Sequence, residues 1–268
     1  MQTPQIRPPA VAGMFYPGDA KELSAEIGTM LAAAKLAAVR PKALIVPHAG
    51  YVYSGPVAAY AYALLAPLRD SINRVVLFGP THRVYAQGLA VPSAAAFATP
   101  LGSVPLDRQA IDAALRLPQV RTNDEAHAME HSLEVQLPFL QTVLGDFRLV
   151  PFAVGEASAA EVAEVMETLW GGDETLIVVS SDLSHYHPYA AAQLLDRQTA
   201  DDLLRLRPLE DYEQACGALP INGLVAAAPR HGLSPHLLDL RNSGDTAGDK
   251  SRVVGYAAFA FAADDRHG

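Results

Sequence analysis

The stretch ALIVPHAGY at residues 43–51 reads as a short buried strand that stops at Pro47 and delivers His48 to the loop beyond. VVLFGPTHR at 75–83 repeats the arrangement with His82, and LIVVSSDLSHYH at 176–187 repeats it with Asp182 and His185. Further apolar runs at 148–154, 236–240 and 253–262 have the same character. Their weak in/out alternation suits strands covered by helices on both faces. Helical spacing marks the segments between them: 19–35, 56–65, 107–117, 130–144, 158–170, 189–206 and 221–232. Asp19 caps the first, and Ser158 with Glu161 forms a capping box. Alternating strands and helices predict a single α/β domain over 1–268, a three-layer αβα sandwich around a largely parallel sheet. Such sheets bind ligands beyond the carboxyl ends of their strands, where these loops open.

Composition narrows the function. Half of the 268 residues are hydrophobic, enough for a sizeable core. Lys and Arg number 20 against 29 Asp and Glu, a net charge of -9 with no basic run, which argues against nucleic-acid and acidic-membrane surfaces. A single cysteine, Cys216, forbids an internal disulfide and suits a reducing compartment. With no secretory signal and no apolar run long enough to span a bilayer, the expectation is a cytoplasmic protein. Walker, G-x-S-x-G and G-x-G-x-x-G patterns are missing, which lowers phosphotransfer, serine-hydrolase and dinucleotide readings.

Imidazole is the commonest metal ligand, and several imidazoles delivered to one sheet edge predict a metal site. The segment NDEAHAMEHSLEVQLPFL adds His127, His131 and Glu134 at spacings of four and three. It also contains H-x-x-E-H, a zinc-protease pattern in which His127 and His131 would bind metal and Glu130 would activate water. The preferred reading is a structural helix with His131 facing the site and His127 more peripheral. The run at 239–258 is a polar turn between strands, with Asp245 and Asp249 as carboxylate candidates. His187 is close enough to His185 to reach the pocket rim, with a surface role preferred, and His231, His236 and His267 are background.

Six motifs, RPPAVAGMFYPGD, PHAGYVYSG, GPTHR, EHSLEVQLPFL, SSDLSHYH and NSGD…SRVVGYAA, occur in the order found in the Memo family, whose bacterial and archaeal members are called AmmeMemoRadiSam system protein B. The resemblance runs from Arg7 to about Ala262. It implies a fold similar to class III extradiol ring-cleavage dioxygenases, which hold non-haem Fe(II) with two His and one carboxylate. On that resemblance His48 and His82 are the metal histidines, His185 is the acid–base histidine, and His131 is a further pocket histidine, expected with His185 in an acid–base role. The third ligand falls in NSGDT; animal members carry a cysteine thereabouts, matched here to Thr246, and Asp245 beside it is the chemically sensible donor. Asp182 and Glu134 join the pocket candidates. The implied function is a divalent-metal protein, Fe(II) favoured and copper or zinc acceptable. It would be either an oxygenase-like or redox enzyme on a small molecule, or an accessory protein for radical SAM and AMMECR-type partners.

Overall fold

A computed structural model describes residues 5–35 and 37–263; His267 lies outside them. The strands are β1 (Ile6–Arg7), β2 (Ala43–Val46), β3 (Arg74–Pro80), β4 (Leu89–Val91), β5 (Ala96–Thr99) and β6 (Gly102–Pro105). They continue as β7 (Val120–Thr122), β8 (Arg148–Val154), β9 (Thr175–Ser180), β10 (His185–His187), β11 (Leu233–Asn242) and β12 (Val253–Ala263). Nine strands make the main sheet in the order β10-β12-β2-β9-β3-β8-β4-β7, with β11 also paired to β12. Strands β1, β5 and β6 form a small separate sheet.

The expected parallel centre is present. β2 and β3 both run parallel to β9, and β3 runs parallel to β8, with Val76 level with Ile177 and Val150. All but the first residue of β3 and β8 are buried, which explains why these runs lack alternation. The flanks are antiparallel: β12 against β2, β11 and β10, and β4 against β8. The sheet is therefore mixed. Its C-terminal side is a long hairpin in which residues 243–246 wind into a short helix at the expected turn.

Helices α1 (Ala20–Ala33), α2 (Tyr51–Tyr62) and α5 (Leu137–Val143) pack together, with α2 on β2, β11 and β12. Helices α3 (Arg108–Ala114), α6 (Ala159–Thr168) and α8 (Ala218–Ala227) form a second group, with α8 against β3 and β9. α7 (Tyr189–Leu204) lies along β10, β11 and β12. Asp19 and the Ser158–Glu161 box cap α1 and α6 as read from the sequence. Among the described residues, no helix is long and apolar enough to cross a membrane.

The continuous helix expected over 130–144 does not form. Helix α4 (Glu125–Ala128) ends before Glu130, residues 129–133 are irregular, a 3₁₀ turn covers Glu134–Gln136, and only then does α5 begin. The reason is polar. Glu134, read as a pocket candidate, is fully buried and turned toward residues 7–16 instead. Its Oε2 accepts from the Arg7 guanidinium at 2.6 Å and the Ala10 amide at 2.7 Å. Its Oε1 accepts from the Val11 amide at 2.9 Å and the Tyr16 hydroxyl at 2.6 Å. A buried carboxylate is tolerated only with such full pairing. Glu134→Ala leaves Arg7 buried and unpaired and should cost about 3–5 kcal/mol, read as a lowered denaturant midpoint. A loss below about 1 kcal/mol, the range of an exposed ion pair, would show that this carboxylate does not hold the N-terminal segment.

Candidate metal centre

The sheet order accounts for the site. β2 and β3 lie on either side of β9, all three parallel, so the loops after them open side by side. His48 follows β2 and His82 follows β3. The irregular segment after α4 brings His131 to the same place. Ring nitrogens of His48, His82 and His131 all lie within 4.8 Å of one another. Ring centroids are 5.1 Å apart for His48 and His82, 5.5 Å for His48 and His131, and 4.6 Å for His82 and His131. His48 is buried, His131 half-buried and His82 the most open.

Two of the imidazoles are held from behind. Ser180, at the end of β9, gives its hydroxyl proton to the Ser132 carbonyl at 2.6 Å. Its oxygen therefore accepts at 2.9 Å from His48 Nδ1, which must carry hydrogen. Gln136 Nε2 donates to the same oxygen at 2.8 Å and to the Pro47 carbonyl at 2.9 Å. His48 Nε2 is thereby left with its lone pair. His82 Nδ1 lies 2.9 Å from Glu130 Oε1, an acceptor, so its Nε2 is likewise free. Glu130 also accepts from the amides of His82 at 2.6 Å, His131 at 2.9 Å and Ser132 at 2.9 Å. Burial alone would raise the Glu130 carboxyl, but the His82 hydrogen bond and these amides draw it down to about 2. His131 Nδ1 sits 3.3 Å from Glu130 Oε1 without hydrogen-bond geometry and is buried with no partner. Phe15 covers the His131 ring at 4.8 Å.

Burial, then the neighbouring histidines His82, His131 and His185, holds His48 well below the usual imidazole range. His131 is lowered to about 4, first by burial. Burial thereby favours the neutral form of His48 and His131, the form that binds metal. This donor chemistry fits a transition-metal ion: lone pairs on His48 and His82 Nε2, a third imidazole at His131, and at His131 Nδ1 a buried nitrogen without a partner among the described residues.

Other sequence candidates take different places. Asp182 accepts from the His48 amide at 2.7 Å, and burial pushes its carboxyl up to about 7; it shapes the His48 loop. His185 lies in β10, close enough for its charge to act on His48. Its loop is fixed by Asp196 of α7, which accepts from the Ser184 amide at 3.0 Å. Gly255 is required opposite, because a Cβ there would fall 2.1 Å from Asp196 Oδ2. His187 pairs with Val253 at the far end of β10, outside the cluster.

Two expectations need correction. Asp245 is not in the histidine cluster: its carboxylate accepts from the Asn242 amide at 3.0 Å, closing a capping box at residues 242–245, and from the Tyr189 hydroxyl. Neighbouring Thr246 donates to the Ser243 carbonyl, and Asp249 accepts from the Ser251 amide. The third member of the cluster is His131, expected as an acid–base residue. The protease pattern is also divided, since His127 Nε2 lies 2.9 Å from the Ala90 carbonyl and its ring faces Phe97.

The residue that sequence reasoning missed is Cys216. Its Sγ lies 3.2 Å from His48 Nε2, on the loop entering α8. Burial, then the Asp182 carboxylate, pushes the thiol up to about 12. Nothing local marks it; the only available signal was that the single thiol sits just before a helix start. A cavity of about 600 Å³ reaches both His82 and Cys216, walled by Pro80, Val154, Leu219 and Pro220. A cavity of about 630 Å³ lies beside Trp170, away from the His48, His82 and His131 cluster; the Lys42 ammonium there is consumed by the carbonyls of Trp170, Gly172 and Thr175.

Comparison with known proteins agrees with the motif resemblance. A family model described as Memo-like protein matches residues 7–260. A MEMO1 family protein of Ignicoccus hospitalis is 40% identical, covering 96% of this chain and 98% of its own. One from Aquifex aeolicus is 35% identical, covering 96% and 99%. Among solved structures, an uncharacterized protein of Escherichia coli K12 has a TM-score of 0.50 at 16% identity, covering 82% of this chain and 99% of that one, a likeness of fold alone. With its motifs, its matched length and these relatives all in agreement, the chain belongs to the Memo family.

Proposed function

We propose that this protein is a metal-dependent enzyme acting on a small molecule, with the ion held by His48, His82 and His131. The observation that carries the reading is the placement of three ring nitrogens within 4.8 Å, with His48 and His82 oriented from behind by Ser180 and Glu130. Cys216, beside His48, stands as a fourth donor. An imidazole and thiol set suits zinc or copper as well as Fe(II), and it lacks the carboxylate of the two-His-one-carboxylate arrangement. When bound, the metal would supply Lewis acidity, and with iron or copper it would add redox chemistry. The chain's residues do the rest. Glu130 and Ser180 keep the two Nδ1 protons fixed, and the cavity at His82 admits the substrate. His185, whose charge acts on His48 and whose imidazole burial holds below the usual range, is the acid–base group.

Protein purified without oxygen and without an affinity tag should hold about one equivalent of transition metal, measured by elemental analysis. His48→Ala and His82→Ala should abolish that binding, while His185→Ala and Asp245→Asn retain it. Metal lost equally in His185→Ala, or lost in Asp245→Asn alone, would overturn the assignment.

Glu130→Gln keeps the shape of the side chain but removes the charge behind His82. Metal affinity should fall about 10- to 100-fold by competition with a chelator, with the fold intact by circular dichroism. In the metal-free protein, nitrogen chemical shifts should report His48 protonated at Nδ1 and bare at Nε2. The opposite tautomer would remove the lone pair on which the site depends.

A further inference from the structure

The cavity at His82 and Cys216 has a chemical character that the metal reading does not use. Its lining includes the exposed residues Tyr85, Tyr212 and Glu156. Both tyrosines are largely exposed, at 75% and 60%. Glu156 accepts the Tyr85 hydroxyl on Oε2, and Oε1 has no hydrogen-bond partner among the described residues. No Lys or Arg lines the cavity among the described residues, and its remaining wall is largely apolar. Arg83, next to His82 in the chain, is not part of the lining.

From this we infer that the cavity selects an organic ammonium compound: an apolar or aromatic body lying between Tyr85 and Tyr212, with its cationic nitrogen against Glu156. The inference deepens the proposed function, resting on it only for the inner end of the ligand at His82. Three features carry it. A cation gains from one carboxylate and from the π-faces of two tyrosines. An anion of the same shape meets that carboxylate with no compensating cation, and like-charge juxtaposition penalises it. A neutral isostere gains only the apolar contact. A volume of about 600 Å³ lies within the range of small-molecule sites and accommodates a substituted aromatic amine. Glu156 fixes the cationic end of the ligand, and Cys216, enclosed beside His48, marks the part of the cavity next to the histidines.

The test uses three matched probes on the full chain at pH 7: 2-phenylethylamine, 2-phenylethanol and 3-phenylpropanoate. Binding is followed by NMR titration in metal-free protein, and zinc binding is measured separately. The amine should bind in the millimolar range or better and about tenfold more tightly than the acid, with the alcohol between them. Glu156→Gln should bring the amine to the affinity of the alcohol while leaving the alcohol unchanged. Leu219→Trp, which fills the wall, should weaken all three and so locate the binding. Acid binding as tight as amine binding, an amine preference that survives Glu156→Gln, or no saturable amine binding would each overturn the inference. The ranking is expected in the metal-free protein, because a zinc ion at His82 would itself draw the carboxylate of the acid. If zinc does not bind but the ranking holds, the metal reading fails and this one stands; if zinc binds and the ranking is absent, this one fails alone.

Discussion

The carboxylate of Glu130 joins two parts of the chain that are 48 residues apart, and the candidate site exists because it does. It takes the His82 ring and amide on one side and the amides of His131 and Ser132 on the other. An ionised carboxylate that is 2% exposed would be unaffordable without donors, and here every donor comes from a residue of the cluster or its neighbour. The same bonds that offset its desolvation therefore set the distance between His82 and His131. Position and energetics are one constraint in this site, so a change that disturbs the carboxylate disturbs both rings together.

The segment that carries Glu130 extends this principle. Its polar side chains each serve a different layer. Glu130 reaches the loop after β3, and Ser132 donates to the Pro80 carbonyl at 2.9 Å. Glu134 holds residues 7–16, and Gln136 bridges the Pro47 carbonyl and Ser180 while accepting from the Tyr62 hydroxyl at 2.7 Å. A regular helix would place residues 130, 132, 134 and 136 around its circumference in fixed 200° steps. Partners lying on several sides instead draw the backbone through a turn and a 3₁₀ segment. The helical spacing of Leu133, Leu137 and Leu140 is satisfied all the same, because all three are buried in the core.

What could be read from the chain follows from how local each signal is. His48 and His82 were legible because a parallel strand dictates where its next loop opens, and neither inference needed a distant partner. The strand runs 148–154 and 175–180 coincide with β8 and β9 because full burial leaves an uninterrupted apolar signature. The antiparallel pairing of β12 with β2 was not legible, since a buried strand carries no mark of its direction. Asp245 was attractive as an acidic residue in a Gly-rich turn, yet that composition equally describes a capping box, and the nearby amide claimed the carboxylate. Cys216 was invisible for the opposite reason: its 3.2 Å approach to His48 spans 168 residues and depends on how α8 is seated.

The division of H-x-x-E-H shows how a long-range contact overrides a local pattern. The motif binds metal only if His127 and His131 share a helix face, one turn apart. Arg7 prevents this. Its Nε donates to the His127 carbonyl at 2.7 Å and its Nη2 to the Glu130 carbonyl at 2.7 Å, while Nη1 pairs with Glu134. Continuing α4 would commit the His127 carbonyl to the amide of His131 four residues on. That amide is instead bound to the Glu130 carboxylate, and the carbonyl is bound to Arg7. One guanidinium thus satisfies the end of a short helix, fixes the turn after it and neutralises a buried carboxylate. The chain leaves the helix, His127 stays against Ala90, and His131 is released toward His48 and His82. The N-terminal segment, which contributes no ring to the cluster, decides which histidines compose it.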